Sequence, residues 1–127
     1  MASNTHVFDF LWDALNTELA LPPVNVFEKQ NEYVCLFELA GYDKNDISLE
    51  LKNNILKVQG TNNYLKPYDT DKCLRKEAVS KTFKREFKLP KDSDLDSISS
   101  TMENGILKVI INKITAAQPE IKNIPIL

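Results

Sequence analysis

Strict two-residue alternation, twice folded back on itself at asparagine, constrains this chain more than any other feature. In "DISLELK" the apolar residues Ile47, Leu49 and Leu51 share one parity, while Ser48, Glu50 and Lys52 take the other. That is the period of a strand with one face buried. Asn53-Asn54 interrupts the run, and "ILKVQG" returns with Leu56 and Val58 on one side. The pattern recurs near the end, where "SISSTM" passes through Glu103-Asn104-Gly105 into "ILKVIINK", with Leu107, Val109 and Ile111 in register. Asn-Gly between two alternating runs signals a tight hairpin, because both residues tolerate positive φ. Further strands are predicted at "VNVFE", "EYVCLFEL", "KTFKREFKL" and, with the poorest pattern, "CLRKE". Leu89-Pro90 closes one of them, since proline has no N–H for a ladder. Seven or eight short strands with few helical segments predict an all-β, immunoglobulin-like antiparallel β-sandwich over residues 22–114.

The flanks break this period. In residues 1–21, Phe8, Leu11, Trp12, Leu15 and Leu19 fall on one stripe of a helix, widened by Val7 and Phe10. Pro22-Pro23 ends any helix there. Such a short helical N-terminal arm either packs on its own domain or serves as an adhesive segment for other chains. Residues 115–127 read as a polar linker carrying an apolar peg, "IPIL". Pro125 pushes Ile124 toward an extended conformation, and residues two apart in an extended chain point the same way. Ile124 and Ile126 thus form a two-pronged peg suited to a groove at a sheet edge. The linker can span up to ~33–36 Å, enough to reach a neighbouring subunit as well as its own domain.

Charge and motif content exclude whole classes of function. With 16 basic and 18 acidic residues the net charge is −2, which offers no basic field for nucleic acid. No apolar run approaches the ~20 residues needed to cross a bilayer, and Asp9, Asp13 and Glu18 make the arm a poor match for an anionic membrane surface. The first residues carry no Lys or Arg, so no secretory leader is expected and the reading is cytoplasmic. One histidine, His6, and two cysteines without C-x-x-C spacing argue against a metal or cofactor. Cys35 reads as a small core residue and Cys73 as a loose thiol. Asp92, Asp94 and Asp96 in "PKDSDLDS" read as solvated turn acids. Phosphate-cradling, zinc-hydrolase and nucleophile-elbow motifs are all missing, which points to binding and away from catalysis.

One charge stands against the pattern. In "KTFKREFKLP" the parity set Phe83, Arg85, Phe87, Leu89 is apolar except at Arg85. Alternation therefore puts a guanidinium on the face meant for burial, where it needs a partner. The expectation is a carboxylate, within the chain or across a subunit boundary; snorkelling at a sheet edge is the alternative.

These motifs together resemble the small heat-shock proteins, the alpha-crystallin family. "LPPVNVFEKQNEYVCLFELAGYDKNDISLELKNNILKVQG" is similar to the family's first half, with its acidic-Leu-x-Gly turn. "FKREFKLP" matches its F-x-R-x-F-x-L-P signature, "STMENGILKVIINK" its Asn-Gly hairpin, and "IPIL" its I-x-I tail. Ser100, Ala40 and Asn112 depart from the usual alanine, proline and proline, and the arm is short for the family. The resemblance implies an alpha-crystallin domain that dimerises and then assembles through the tail. Residues 61–80 are long enough to carry an exchanged strand, "CLRKE", which puts Leu74 and Arg75 with Arg85, Ile124 and Ile126 at oligomer contacts. It also implies an ATP-independent holdase for unfolded or partly folded client proteins, with Phe8, Phe10, Leu11 and Trp12 as client contacts. From strand position, Leu49, Leu51, Ile98 and Ser100 are the candidate groove. The rival is a monomeric CS-type co-chaperone binding one folded partner, which has no use for an I-x-I tail.

Overall fold

The structure, a computed structural model, describes residues 21–114 and 123–127. Seven strands follow one another: β1 (Val24–Glu28), β2 (Glu32–Glu38), β3 (Ile47–Lys52), β4 (Ile55–Thr61), β5 (Thr82–Lys88), β6 (Ser93–Glu103) and β7 (Ile106–Lys113). They form two antiparallel sheets, one of order β1-β2-β7-β6 and one of order β3-β4-β5. This is the antiparallel all-β architecture expected from the alternation.

Both predicted hairpins form. Lys52 pairs with Ile55 around Asn53 and Asn54, at φ of 52° and 64°. Glu103 pairs with Ile106 around Asn104 and Gly105, at 52° and 75°. Two consecutive positive-φ residues make turns whose twist matches that of the flanking strands. Register then carries the apolar parities inward. Tyr33, Cys35 and Phe37 of β2 stand opposite Ile111, Val109 and Leu107 of β7. From the second sheet Leu56 and Val58 of β4 and Phe83 and Phe87 of β5 complete a core of fully or almost fully buried side chains. Phe37 and Phe87 meet edge to face, with centroids 5.7 Å apart at 75°, an arrangement their ring quadrupoles favour. Each such side chain contributes ~1.5–3 kcal/mol by leaving water. Gly60 lets the chain close over β4: a Cβ there would lie 2.7 Å from the Asp46 carbonyl oxygen, in the short 3-10 turn Lys44–Asp46 that leads into β3.

Two expectations are corrected. "CLRKE" forms no strand in this single chain, and Leu74 is 87% exposed. Leu74 is the one apolar side chain among charges there, and no neighbouring strand offers it a ladder. Second, β6 begins at Ser93, five residues before Ile98, so Asp94 and Asp96 lie in a strand and not in a turn; the β6–β7 register is interrupted between Ser93 and Ile98. Such an irregularity bends a strand and locally frees it from strict alternation, which is why the acids hid its start. The helical reading of residues 1–21 falls, apart from Leu21, outside the described residues, as do Phe8, Phe10, Leu11 and Trp12 and the linker 115–122.

Candidate functional site

β3 and β6 each pair with one neighbour only, so each is the edge of its sheet. β5 lies over the β1 side of the sandwich, where the Arg85 side chain reaches Pro22 just before β1 and Phe87 meets Phe37 of β2. The opposite margin therefore carries both β3 and β6. On β6, Ile98 and Ser100 register with Ile111 and Val109, and Met102 with Leu107, so all three share the parity of the core. On β3, Leu49 and Leu51 register with Val58 and Leu56. The four candidate groove residues thus lie on the inward parity of two edge strands. Leu49 and Ile98 pack half-buried on the core, as do Ile47 and Met102, which lengthen the strip and were not among the candidates. Leu51 remains 39% exposed and Ser100 is exposed. Edge strands also present open backbone donors and acceptors, to which an extended segment can add.

The peg lies in the open. Ile124 is 85% and Ile126 fully exposed, outside any helix or strand. Its root, in contrast, is held. Lys113 N donates to the Asn31 carbonyl at 2.8 Å and Ile114 N to the Asp92 carbonyl at 2.7 Å. The Lys113 ammonium meets Glu28 at 2.7 Å and lies 4.9 Å from the Tyr33 ring centroid, while the Tyr33 hydroxyl donates to the Asp92 carboxylate at 2.7 Å. Asn112, at a position where the resemblance led one to expect proline, uses its side-chain amide to donate to the Ser97 hydroxyl.

Arg85 registers with Val58, so it does occupy the inner parity, and it is half-buried. Its guanidinium donates to the Pro22 carbonyl at 3.0 Å and stands 5.2 Å from the Phe87 ring centroid, a cation–π distance. The Pro22 carbonyl is a partner that the sequence pattern does not announce. Nothing in the spacing signals a contact between residues 63 apart, although a cation on an inward parity does signal the need for an acceptor.

The segment between β4 and β5 is pinched at its base. Asn62 N donates to the Lys81 carbonyl at 3.0 Å and Lys81 N to the Asn62 side-chain oxygen at 2.9 Å, with Asn62 buried. Beyond the pinch the segment exposes Tyr64, Tyr68, Leu74 and Val79. Arg75 stands 3.9 Å from Glu77, both largely exposed, so that pair adds little. A cleft of about 700 Å³ opens between this segment and the start of β1, with Leu21, Tyr42, Tyr64 and Val79 in its walls. Cys35 is buried, and desolvation pushes its thiol up to about 12; Cys73 is exposed. Among the described residues no cluster of acids, histidine and cysteines has the make-up of a metal site. No helix among them is long and apolar enough to cross a membrane.

Residues 25–127 match the Hsp20/alpha crystallin family. The chain is 33% identical over 100 residues to the 17.8 kDa class I heat shock protein of Solanum lycopersicum, covering 78% of this chain and 65% of that protein. It is 31% identical, over 78% of itself and 62% of the relative, to the 18.1 kDa class I heat shock protein of Arabidopsis thaliana. The chain thus spans just under two thirds of the length of these relatives. Among solved structures it superposes on a small heat-shock protein from Xylella fastidiosa with a TM-score of 0.70 at 28% identity, covering 83% of this chain and 96% of that one. Heat shock protein 16.0 from Schizosaccharomyces pombe gives a TM-score of 0.68 at 27% identity, with 86% and 100% covered. Sheet order, signature arginine, Asn-Gly hairpin and these likenesses converge: the chain belongs to the Hsp20/alpha crystallin family of small heat shock proteins.

Proposed function

We propose that this chain is an ATP-independent holdase that binds unfolding proteins in the cytoplasm, built as an arm (1–21), a sandwich domain (22–114) and a tail (115–127). Its two free cysteines suit a reducing compartment. The observation that carries the reading is a pairing of unmet needs: an apolar strip along two edge strands, half-buried at Ile47, Leu49, Ile98 and Met102, and Ile124 and Ile126 largely or wholly in solvent on the same chain. A peg from one copy seated in the strip of another buries both. Each isoleucine contributes at most ~1.5–3 kcal/mol, so a single peg is reversible and a closed ring of them holds by avidity. Arg85 stabilises the dimer, and Leu74 and Arg75 supply the strand that a second copy receives. Pegs that leave uncover apolar surface, and with Phe8, Phe10, Leu11 and Trp12 that surface takes up exposed apolar segments of clients. Removing such segments from solution blocks their mutual association without any chemistry on the client.

The test heats an aggregation-prone reporter enzyme with and without this protein, in the absence of nucleotide, and follows light scattering. Suppressed scattering with the reporter held in a soluble complex is the expected result. Unchanged scattering, with this protein still folded, overturns the holdase reading.

A further inference from the structure

The described sandwich opens with Pro22-Pro23, two residues that have no backbone N–H. Their carbonyls are therefore the only backbone groups by which this stretch can be hydrogen-bonded. Both are held, and by different sheets. Arg85 of β5 donates to the Pro22 carbonyl at 3.0 Å, and the Glu38 amide at the end of β2 donates to the Pro23 carbonyl at 3.0 Å. Arg85 is itself fixed, by its register with Val58 and by the ring of Phe87 at 5.2 Å. A hydrogen bond from a charged donor is roughly twice as strong as a neutral one, and proline adds a rigid φ at each of the two positions.

We propose that Arg85 is a positioning residue for the N-terminal segment. Together with the Glu38 amide it clamps Pro22-Pro23 to both sheets, so that the chain enters the sandwich at one fixed point, beside the cleft walled by Leu21, Tyr42 and Val79. This contact lies within one chain and exists without a second copy, so it is separate from any role of Arg85 at a dimer boundary. It deepens the holdase reading and rests on it in one respect: the anchored segment is the one assigned to client contact. A segment on a rigid root searches a restricted volume next to the domain, whereas one on a loose root is free to fold away or to swing clear of it.

Trp12 is the only tryptophan, so its time-resolved fluorescence anisotropy in the intact protein reports motion of the segment directly. Hydrogen exchange at the Glu38 amide reports the root. In the native protein Glu38 is expected to exchange as slowly as the interior amides of β2. Arg85→Leu is expected to raise its exchange about tenfold and to enlarge the fast component of Trp12 depolarisation; Arg85→Lys, with a cation but no planar fork, falls between. Fast exchange of Glu38 in the native protein overturns the proposal, as does a folded Arg85→Leu variant with unaltered exchange and anisotropy. Where Arg85→Leu does not fold, Arg85→Lys decides, because it loses the planar fork: raised Glu38 exchange and a larger fast component of Trp12 depolarisation support the clamp, and unaltered values overturn it. Neither readout depends on client capture, so failure of the holdase reading and failure of the clamp are distinguishable.

Discussion

Cys35 and Cys73 are the same residue in opposite surroundings, and they are expected to behave as different reagents. Cys73 is exposed, its Sγ–H directed at the Arg75 carbonyl at 3.2 Å. Cys35 is buried between β1 and β7, with its thiol raised from 9.0 to about 12 by desolvation. A thiol-specific reagent at neutral pH is expected to modify Cys73 alone, and both cysteines once denaturant is added; mass spectrometry of the labelled chain checks it. The same shift predicts an alkaline limit. Because the folded state holds the Cys35 proton more tightly than the unfolded state does, the unfolded chain binds fewer protons between about pH 9 and 12, and stability falls as pH rises through that window. Denaturant titrations at stepped alkaline pH are expected to show the slope, reduced in Cys35→Ala. Arg85→Gly removes both the carbonyl contact and the ring contact, and a lower melting temperature or a smaller native mass is expected; unchanged values of both would reduce Arg85 to a surface charge.

At the scale of elements, strands were legible wherever one face is buried and the other wet. "DISLELK", "ILKVQG" and "ILKVIINK" alternate because each has a single inward parity, and Asn-Asn and Asn-Gly announced their turns through tolerance of positive φ. The illegible parts share a physical cause. The start of β6 was hidden because "SDLDS" lies at the interruption of its register with β7, where the alternation is not enforced. "CLRKE" carries too little apolar surface to declare a face. Of the candidate site, the edge-strand parities could be read from sequence, but the union of β3 and β6 along one margin could not, because it follows from sheet order, which alternation does not encode. The capture of two proline carbonyls is a long-range contact with no local signal. The turn chemistry makes its own prediction: Gly105→Ala forces a Cβ onto a backbone at φ 75° and to within 3.3 Å of the Ala40 Cα. A loss of ~1–2 kcal/mol or more is expected in denaturant unfolding.

For the whole molecule, assembly and folding are expected to separate. Ile124 and Ile126 contribute no burial to their own sandwich, so replacing both with alanine is expected to shrink the native mass, read by light scattering after gel filtration, while leaving the melting of the domain within ~0.5 kcal/mol of the parent. An unchanged mass removes the peg from the account. The two anchored roots add a geometric consequence. The N-terminal one, at Pro22-Pro23, lies at the start of β1; the C-terminal one, at Lys113 and Ile114, is tied to Glu28 at its far end and to Asn31 just past it. One short strand, five residues or ~17 Å of extended chain, separates them. On the proposed division into arm, sandwich and tail, the sandwich is therefore a bipolar strut that joins the arm at one pole and the tail at the other. In any shell tiled from such struts, linkage through one pole leaves the other available, so a particle built of identical subunits acquires two chemically distinct kinds of vertex.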